Sequence, residues 1–447
     1  MRNKLTRGET LWVAAMLFGM FFGAGNLIFP AYMGHQAGSA VWPAIAGLLV
    51  TGVGLPLLGV AAIGLTRSDG LLPLSRKVGR RYGLCFTCAL YLTIGPFFAI
   101  PRCATVPFTV GVEPLTGTEG SRLALALFSL VFFLIVAGLS LRPAHILTSI
   151  GRTLTPLFLL FFGVLAVTVL AWPSGTPGEP IGAYGSNAFF AGFLEGYNTM
   201  DALAGLAFGI VVVNVIRGMG VTDPQAVAKS TVKAGVFSCL IMGGIYLAVT
   251  LMGVKSQPLS IDAVNGGEVL SVLANHHYGT AGALILAATV TLACLKTSVG
   301  LVTSCAEAFV EMFPKGPSYK VWALIFSVFS FLIANVGLTS IIAYSQPVLM
   351  LLYPLAVTLI LLGLLGKWFE HDPLVYRLVT GLTLAAAAFD FMKALPAGAI
   401  NFLHLEGAIG LAQRFLPLYG LGLGWVCPAT AGLTLGLAIR ARTKTGR

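Results

Sequence analysis

The sequence predicts an all-α polytopic membrane protein with twelve transmembrane helices, and three observations lead there. Of 447 residues, 57% are hydrophobic and only 10% charged, with a mean hydropathy of +0.90, a balance that no soluble domain of this length tolerates. Apolar stretches of the roughly 20 residues needed to cross the hydrocarbon recur along the whole chain. Lys and Arg are distributed unequally between alternate connecting segments.

The apolar runs cover residues 10–32, 40–65, 83–112, 121–140, 146–172, 190–216, 231–254, 280–312, 319–335, 338–366, 374–394 and 412–440. With a cytoplasmic N-terminus, 21 of the 27 Lys and Arg fall on the cytoplasmic side, in the segments holding Arg2 to Arg7, Arg67 to Arg81, Arg142 and Arg152, Arg217 to Lys233, Lys315 and Lys320, Lys367 and Arg377, and Arg440 onward. Arg122, Lys255, Lys393 and Arg414 make four on the opposite side, and Arg102 and Lys296 lie within apolar runs. That asymmetry follows the positive-inside rule for twelve spans with both ends in the cytoplasm. The net charge of +11 therefore reports topology; no nucleic-acid partner and no obligate protein partner is implied.

The first run is too long for a cleaved signal and lacks a small-residue cleavage motif, so it counts as the first span. Connections are short, which leaves no separate soluble domain. The longest polar interval, 254–279, reads as a loop ending in Asn275-His276-His277-Tyr278, and the adjacent histidines are assigned no chemistry. The seven cysteines, of which only Cys85 and Cys88 share a paired spacing, read as small packing residues.

Two runs are interrupted. In the first, Gly23 and Gly25 tolerate non-helical dihedrals, Asn26 can satisfy freed backbone groups and Pro30 removes an amide donor. In the sixth, Gly196-Tyr197-Asn198-Thr199-Met200-Asp201 places an acid near membrane depth. Unwound backbone in a membrane must line a cavity or be buried in protein, so two such breaks point to a substrate and ion site at the midplane. Spans one to five (1–172) and six to ten (190–366) then form two copies of one unit. Five is odd, so the second copy enters from the opposite face as an inverted repeat, and spans eleven and twelve (374–440) stand outside it. A further irregularity, Gly95-Pro96-Phe97-Phe98-Ala99-Ile100-Pro101-Arg102, reads equally as a structural bend or a site.

An unwound helix exposes amides on its C-terminal half and carbonyls on its N-terminal half. At Gly23, Ala24, Gly25 and Asn26 a carboxylate can rest on backbone amides; at Tyr197, Asn198, Thr199, Met200 and Asp201 carbonyls and side-chain oxygens can take an ammonium. The alternative for the glycines is close helix packing. A carboxylate at helix centre costs about 2.5–3.5 kcal/mol on insertion scales, which marks Asp201 as functional unless it is protonated or paired with Arg102 or Lys296. The adjacent hydroxyls of Thr297 and Ser298 suit a hard monovalent cation, although such side chains often bond only their own helix. Met200 and Phe208 are candidates for an apolar substrate pocket. Three methylenes beyond alanine, at roughly 0.8 kcal/mol each, provide about fiftyfold preference for aliphatic side chains in a dry pocket.

At these residues the chain resembles the branched-chain amino acid transport system II carriers, the BrnQ-type bacterial branched-chain amino acid:cation symporters (LIVCS) of the amino acid, polyamine and organocation superfamily. The matching stretches are Gly23 to Pro30, Gly95 to Val106, Gly196 to Leu203, and Ala293 to Leu295 through Ala306-Glu307, which together span nearly the whole chain. The resemblance implies a LeuT-type five-plus-five inverted repeat with helices 1 and 6 broken, and location in the bacterial cytoplasmic (inner) membrane. It also implies uptake of leucine, isoleucine and valine driven by sodium, with no cofactor besides the coupling ion. By likeness to neurotransmitter:sodium symporters, Asn26 is implied as an ion ligand, and Thr297 and Ser298 resemble the hydroxyl pair of a shared sodium site. Lys296 departs from the family pattern, where a neutral residue stands. Proton coupling, with Lys296 in place of sodium, is the alternative this departure raises, but Lys296 points about 100° around the helix from Thr297. A carrier of another amino acid or a nucleobase is a rival on the same fold. A membrane-embedded enzyme is disfavoured by the scatter of ionisable residues, and a channel by the lack of any filter-like loop.

Overall fold

A capping box starts the first helix. Thr6 accepts from the Glu9 amide at 3.2 Å, and Glu9 accepts from the Thr6 amide at 2.8 Å, which satisfies two donors that a helix N-terminus otherwise orphans. The computed structural model describes residues 4–66, 70–118, 120–141, 155–171, 176–259 and 263–445. Part of the expected fifth run (146–154 and 172) lies outside these residues, as do Arg2, Arg67, Arg142, Arg152 and Arg447.

The helices are α1 Arg7–Phe21, α2 Ala24–Ala37, α3 Val41–Leu49, α4 Leu55–Leu65, α5 Leu71–Ser75, α6 Arg80–Leu92, α7 Ala99–Pro107, α8 Glu113–Thr116, α9 Arg122–Ser140, α10 Thr155–Ala171, α11 Tyr184–Asn198 and α12 Asp201–Gly218. They continue as α13 Pro224–Ser256, α14 Gly266–Tyr278, α15 Thr280–Met312, α16 Tyr319–Ala334, α17 Leu338–Leu365, α18 Pro373–Ala394, α19 Ala397–Phe402, α20 Glu406–Phe415 and α21 Val426–Thr445. Among the described residues, eight continuous helical stretches are long and apolar enough to cross a membrane, and Thr155–Ala171 and Tyr319–Ala334 are shorter apolar helices. Leu123 and Leu134 on α9 are exposed, as side chains facing lipid rather than water would be.

Proline and short polar side chains set the helix starts. Asp223 caps α13 through the Ala226 amide at 2.7 Å with Pro224 at the first helical position; Asp372 and Pro373 repeat the device at α18. Three π-helical turns, Val50–Gly54, Thr93–Phe97 and Phe108–Val112, interrupt the second and third spans. The middle one bends at Gly95 (φ −91°, ψ −125°), where Pro96 lacks the amide that would close the ladder.

Two sequence expectations change here. Residues 266–278 are helical, because Asn265 accepts from the Gly267 amide at 2.8 Å and from the Glu268 amide at 3.2 Å; His276 and His277 therefore sit on the last turn of α14 rather than in a loop. The expected run 412–440 is divided between α20 and α21, and residues 416–425 form a non-spanning connection that includes left-handed Leu418 and Gly422.

The interrupted helices lie at the centre of the fold. α1 packs on α12, α13 and α15; α2 packs on α13; α11 packs on α3 and α12 on α4. α18 and α21 pair with each other, and α18 also packs against α17.

Candidate functional site

The first break is narrower than the sequence suggests. Only Phe22 (φ −78°, ψ 98°) and Gly23 (φ −126°, ψ −155°) leave the helix, whereas Ala24, Gly25 and Asn26 form the first turn of α2. Extended backbone of this kind does not require glycine. The reason for Gly23 is closeness: a Cβ there would lie 2.8 Å from Thr297 Cγ2 on α15 and 3.0 Å from its Oγ1. Gly23→Ala is thus expected to push α1 from α15 and lower uptake by about five- to a hundredfold, at the usual overpacking cost of roughly 1–3 kcal/mol. Thr297→Ser, which removes the nearer methyl, should partly restore it. Full uptake by Gly23→Ala alone would show the contact to be slack.

The second break falls at Thr199 and Met200. Met200 adopts left-handed backbone (φ 63°, ψ 12°), a conformation that costs a non-glycine residue roughly 1–2 kcal/mol. This turn ends α11 at Asn198 and begins α12 at Asp201.

Asn26 joins the two breaks. Its Oδ1 accepts from the Gly23 amide at 2.8 Å, while its Nδ2 donates to Asp201 at 2.9 Å (Oδ1) and 2.8 Å (Oδ2). The Tyr246 hydroxyl, from α13, also donates to Asp201. All three side chains are buried. An acid in so apolar a setting is tolerable because neutral donors converge on it. No ion pair joins Asp201 to Arg102 or Lys296 among the described residues.

A small cavity of about 30 Å³ lies between the breaks; the range of about 300–1,000 Å³ usual for small-ligand sites is reached only if the surrounding helices move apart. Gly23, Ala24, Gly25, Asn26, Thr199, Met200, Asp201, Phe208 and Thr297 all line it. Its apolar wall is completed by Met20, Phe21, Ile94, Ala204 and Leu301, with Phe21 and Phe208 edge to face at 5.5 Å. The amides of the first turn of α2 have no helical carbonyl to bond and begin at this wall.

Tyr197, Asn198, Ser298 and Lys296 do not line the cavity. Tyr197 turns away and stacks on Tyr353 of α17, centroids 4.1 Å apart and planes 16° from parallel. The Asn198 carbonyl accepts from Arg102 Nη1 at 3.1 Å, and the Gly196 carbonyl accepts from the hydroxyls of Thr199 (2.8 Å) and Tyr353 (3.2 Å). The carbonyls expected to wait for a cation at the end of α11 are therefore engaged by the protein itself. Thr297 donates to the Phe22 carbonyl at 2.9 Å and approaches that of Gly19 at 3.5 Å, so a cluster of oxygens forms at the end of α1. The Ser298 hydroxyl is buried and turned away from the cavity. Lys296 is fully buried, and its Nζ stands over the rings of Phe158 (4.3 Å) and Phe18 (5.6 Å) without a hydrogen bond among the described residues.

Sequence reasoning missed two site residues. Tyr246 lies in a long apolar run where nothing distinguishes it from a packing tyrosine. Arg102 had a signal: the bend at Gly95 and Phe98 (φ −133°) carries α7 and its guanidinium to the cavity wall, 5.3 Å above the Phe29 ring. The irregular stretch is a bend, and it brings Arg102 to the cavity wall.

The family model for branched-chain amino acid transport proteins matches residues 6–443. The chain belongs to this family. A branched-chain amino acid permease BrnQ of Lactobacillus delbrueckii subsp. lactis is 52% identical over 433 residues, 96% of each chain. The BrnQ permease of Bacillus subtilis is 41% identical over 447 residues, the whole of both, and the branched-chain amino acid transport system 2 carrier of Pseudomonas aeruginosa is 39% identical over 429 residues, 96% of this chain and 95% of the relative. Among solved structures, the nucleobase-cation-symport-1 transporter Mhp1 in a closed conformation superimposes with TM-score 0.58 at 15% identity, covering 97% of this chain and 93% of that one. MhsT in complex with L-phenylalanine follows at 0.57 and 14%, covering 88% and 98%. Family and fold together make this an integral membrane transporter with a LeuT-like fold, not an enzyme.

Proposed function

We propose that the protein imports leucine, isoleucine and valine across the bacterial cytoplasmic membrane by sodium-driven symport and alternating access. It does so with twelve spans, a five-plus-five inverted repeat, two further C-terminal helices and both ends in the cytoplasm. The observation that carries this reading is the cavity in which both breaks meet, one wall acidic and the other apolar, in a member of a branched-chain amino acid transport family. Asp201 receives the substrate ammonium. The amides of Ala24 to Asn26 and the Arg102 guanidinium receive its carboxylate, and Met200, Phe208, Phe21 and Leu301 surround its aliphatic side chain. Sodium is held by the hydroxyl of Thr297 with the carbonyls of Gly19 and Phe22, and by Ser298 once its hydroxyl turns toward them; these hard oxygens fit a monovalent cation. Asn26 is less suited to ligate sodium in this conformation, because its amide is already spent on Gly23 and Asp201.

One observation favours proton coupling as a second reading: the Lys296 amine is buried next to the candidate ion site with no hydrogen-bond acceptor among the described residues. Uptake of labelled leucine into proteoliposomes separates the two. Sodium coupling predicts dependence on an imposed sodium gradient in the wild type and in Lys296→Thr, and competition by isoleucine and valine but not by phenylalanine or a nucleobase. Uptake indifferent to sodium in the wild type rejects the sodium reading, and equal competition by phenylalanine rejects the substrate assignment.

A further inference from the structure

Where the ends of three helices meet, the chain forms a second cavity of about 520 Å³, far larger than the one between the breaks. The last residue of α4, the first turns of α13 and the turn after α17 surround it, and both α13 and α17 pack on α4. Three amines line it: those of Lys229 and Lys233 on α13, and of Lys367 just past α17. Gln225 adds a side-chain amide, and no Asp or Glu is among the described residues of the wall.

Residues four apart on a helix share a face, so the charges of Lys229 and Lys233 oppose each other, and Lys367 brings a third to the same space. Among the described residues no ion pair reaches any of the three. The acids nearest along the chain are engaged elsewhere: Asp223 caps α13 through the Ala226 amide, and Glu370 pairs with Arg440 at 3.1 Å. Three cations converging on one hollow without an acid have the composition of an anion site.

The apolar part of the wall narrows the class of anion. Leu65, 47% exposed, and Val232 line the same cavity. The face of α13 that carries the lysines then continues in the exposed apolar side chains of Val236 and Leu240, four and eight positions after Val232. Lysine giving way to valine and leucine on an outward face marks the level where headgroups meet hydrocarbon. An inorganic phosphate would use only the amines. A phospholipid uses both parts, with its phosphate on the lysines and an acyl chain along Val236 and Leu240. A zwitterionic headgroup would bring its own ammonium against three others, so the fit is to a lipid of net negative charge.

We propose that this cavity is a binding site for the headgroup of an anionic phospholipid, which bridges α4, α13 and the end of α17. Occupancy ties the start of α13, the helix that bears Tyr246, to its neighbours. The site is separate from the transport cavity and does not depend on what that cavity carries.

Native mass spectrometry of the detergent-purified protein, titrated with phosphatidylglycerol, tests it. The expected result is a phosphatidylglycerol molecule retained on the wild type, with retention of phosphatidylethanolamine about tenfold weaker. Lys229→Gln, Lys233→Gln and Lys367→Gln should each weaken retention about fivefold, and the triple variant roughly a hundredfold, since a basic side chain beside an anionic membrane surface contributes about 1 kcal/mol. The control combines Lys315→Gln with Lys320→Gln, two exposed lysines at the join of α15 and α16 and outside the cavity, and should retain lipid like the wild type. Equal loss in that control, equal retention of the two lipids, or wild-type retention by the triple variant would each overturn the proposal. Displacement of the lipid by equimolar inorganic phosphate would show a site for a free anion instead and overturn it as well. Should the triple variant fail to fold, the three single variants decide, and wild-type retention by all of them overturns it.

Discussion

Asp201→Asn should lower leucine uptake by roughly a hundredfold while leaving the protein folded. A hydrogen bond between an ammonium and a carboxylate in a dry site contributes about 1.5–3 kcal/mol, and a tenfold change in affinity corresponds to about 1.4 kcal/mol. The substitution keeps the shape of the side chain, so loss of charge is the main change. The protein's own network tolerates it: the introduced amide can place its oxygen where Asp201 Oδ2 stands and accept from both the Tyr246 hydroxyl and Asn26 Nδ2, as that oxygen does now. Elution as a single species with an unchanged melting temperature would verify the fold, and uptake supplies the functional readout. Normal transport by Asp201→Asn would remove Asp201 from the substrate site and leave it as a brace between the breaks.

Gly34→Ala should be among the most damaging small substitutions in the helix scaffold. A Cβ at Gly34 on α2 would lie 1.9 Å from the Thr250 carbonyl oxygen of α13, and one at Gly253 would lie 2.1 Å from the Ala31 carbonyl oxygen. The two helices touch backbone to backbone on both sides of this crossing, as small residues permit in membranes. No side chain can yield, so the helices must separate. The expected cost is at least the upper end of the overpacking range, about 3 kcal/mol, read as a lower melting temperature in detergent. Because α2 carries Asn26, uptake should fall with it. Gly244→Ala on α13 is the matched control, since a Cβ there meets nothing within 4 Å. Equal melting temperatures for Gly34→Ala and Gly244→Ala would contradict the packing described.

The residues of the cavity were legible in unequal degree. Asp201 stood out because an acid is expensive at membrane depth, and the Gly23 to Asn26 stretch because glycine and asparagine cluster there inside an apolar run. Tyr246 left no signal, since a phenol that bonds Asp201 and a phenol that packs look alike in sequence. Tyr197 and Asn198 sit next to the second break, but chain neighbours separated by one helical step face different directions, and neither reaches the cavity. Gly23 was singled out for conformational freedom; closeness to Thr297 is what demands it.

Composition and charge order alone determined that this chain is an all-helical membrane protein with interruptions near residues 23 and 200. Burial in lipid forces hydrophobic runs of fixed length, and a freed backbone in that medium has to be accommodated. Only the tertiary structure decided that Asn26 and Tyr246 converge on Asp201, that Arg102 reaches the cavity around the bend at Gly95, and that Lys296 turns to Phe158 rather than to an acid. Such contacts join distant parts of the chain: Asn26 and Asp201 stand 175 positions apart, and Thr297 and Phe22 275. Their geometry depends on where π turns, left-handed residues and backbone-to-backbone crossings aim each helix, and hydropathy carries no record of that aim.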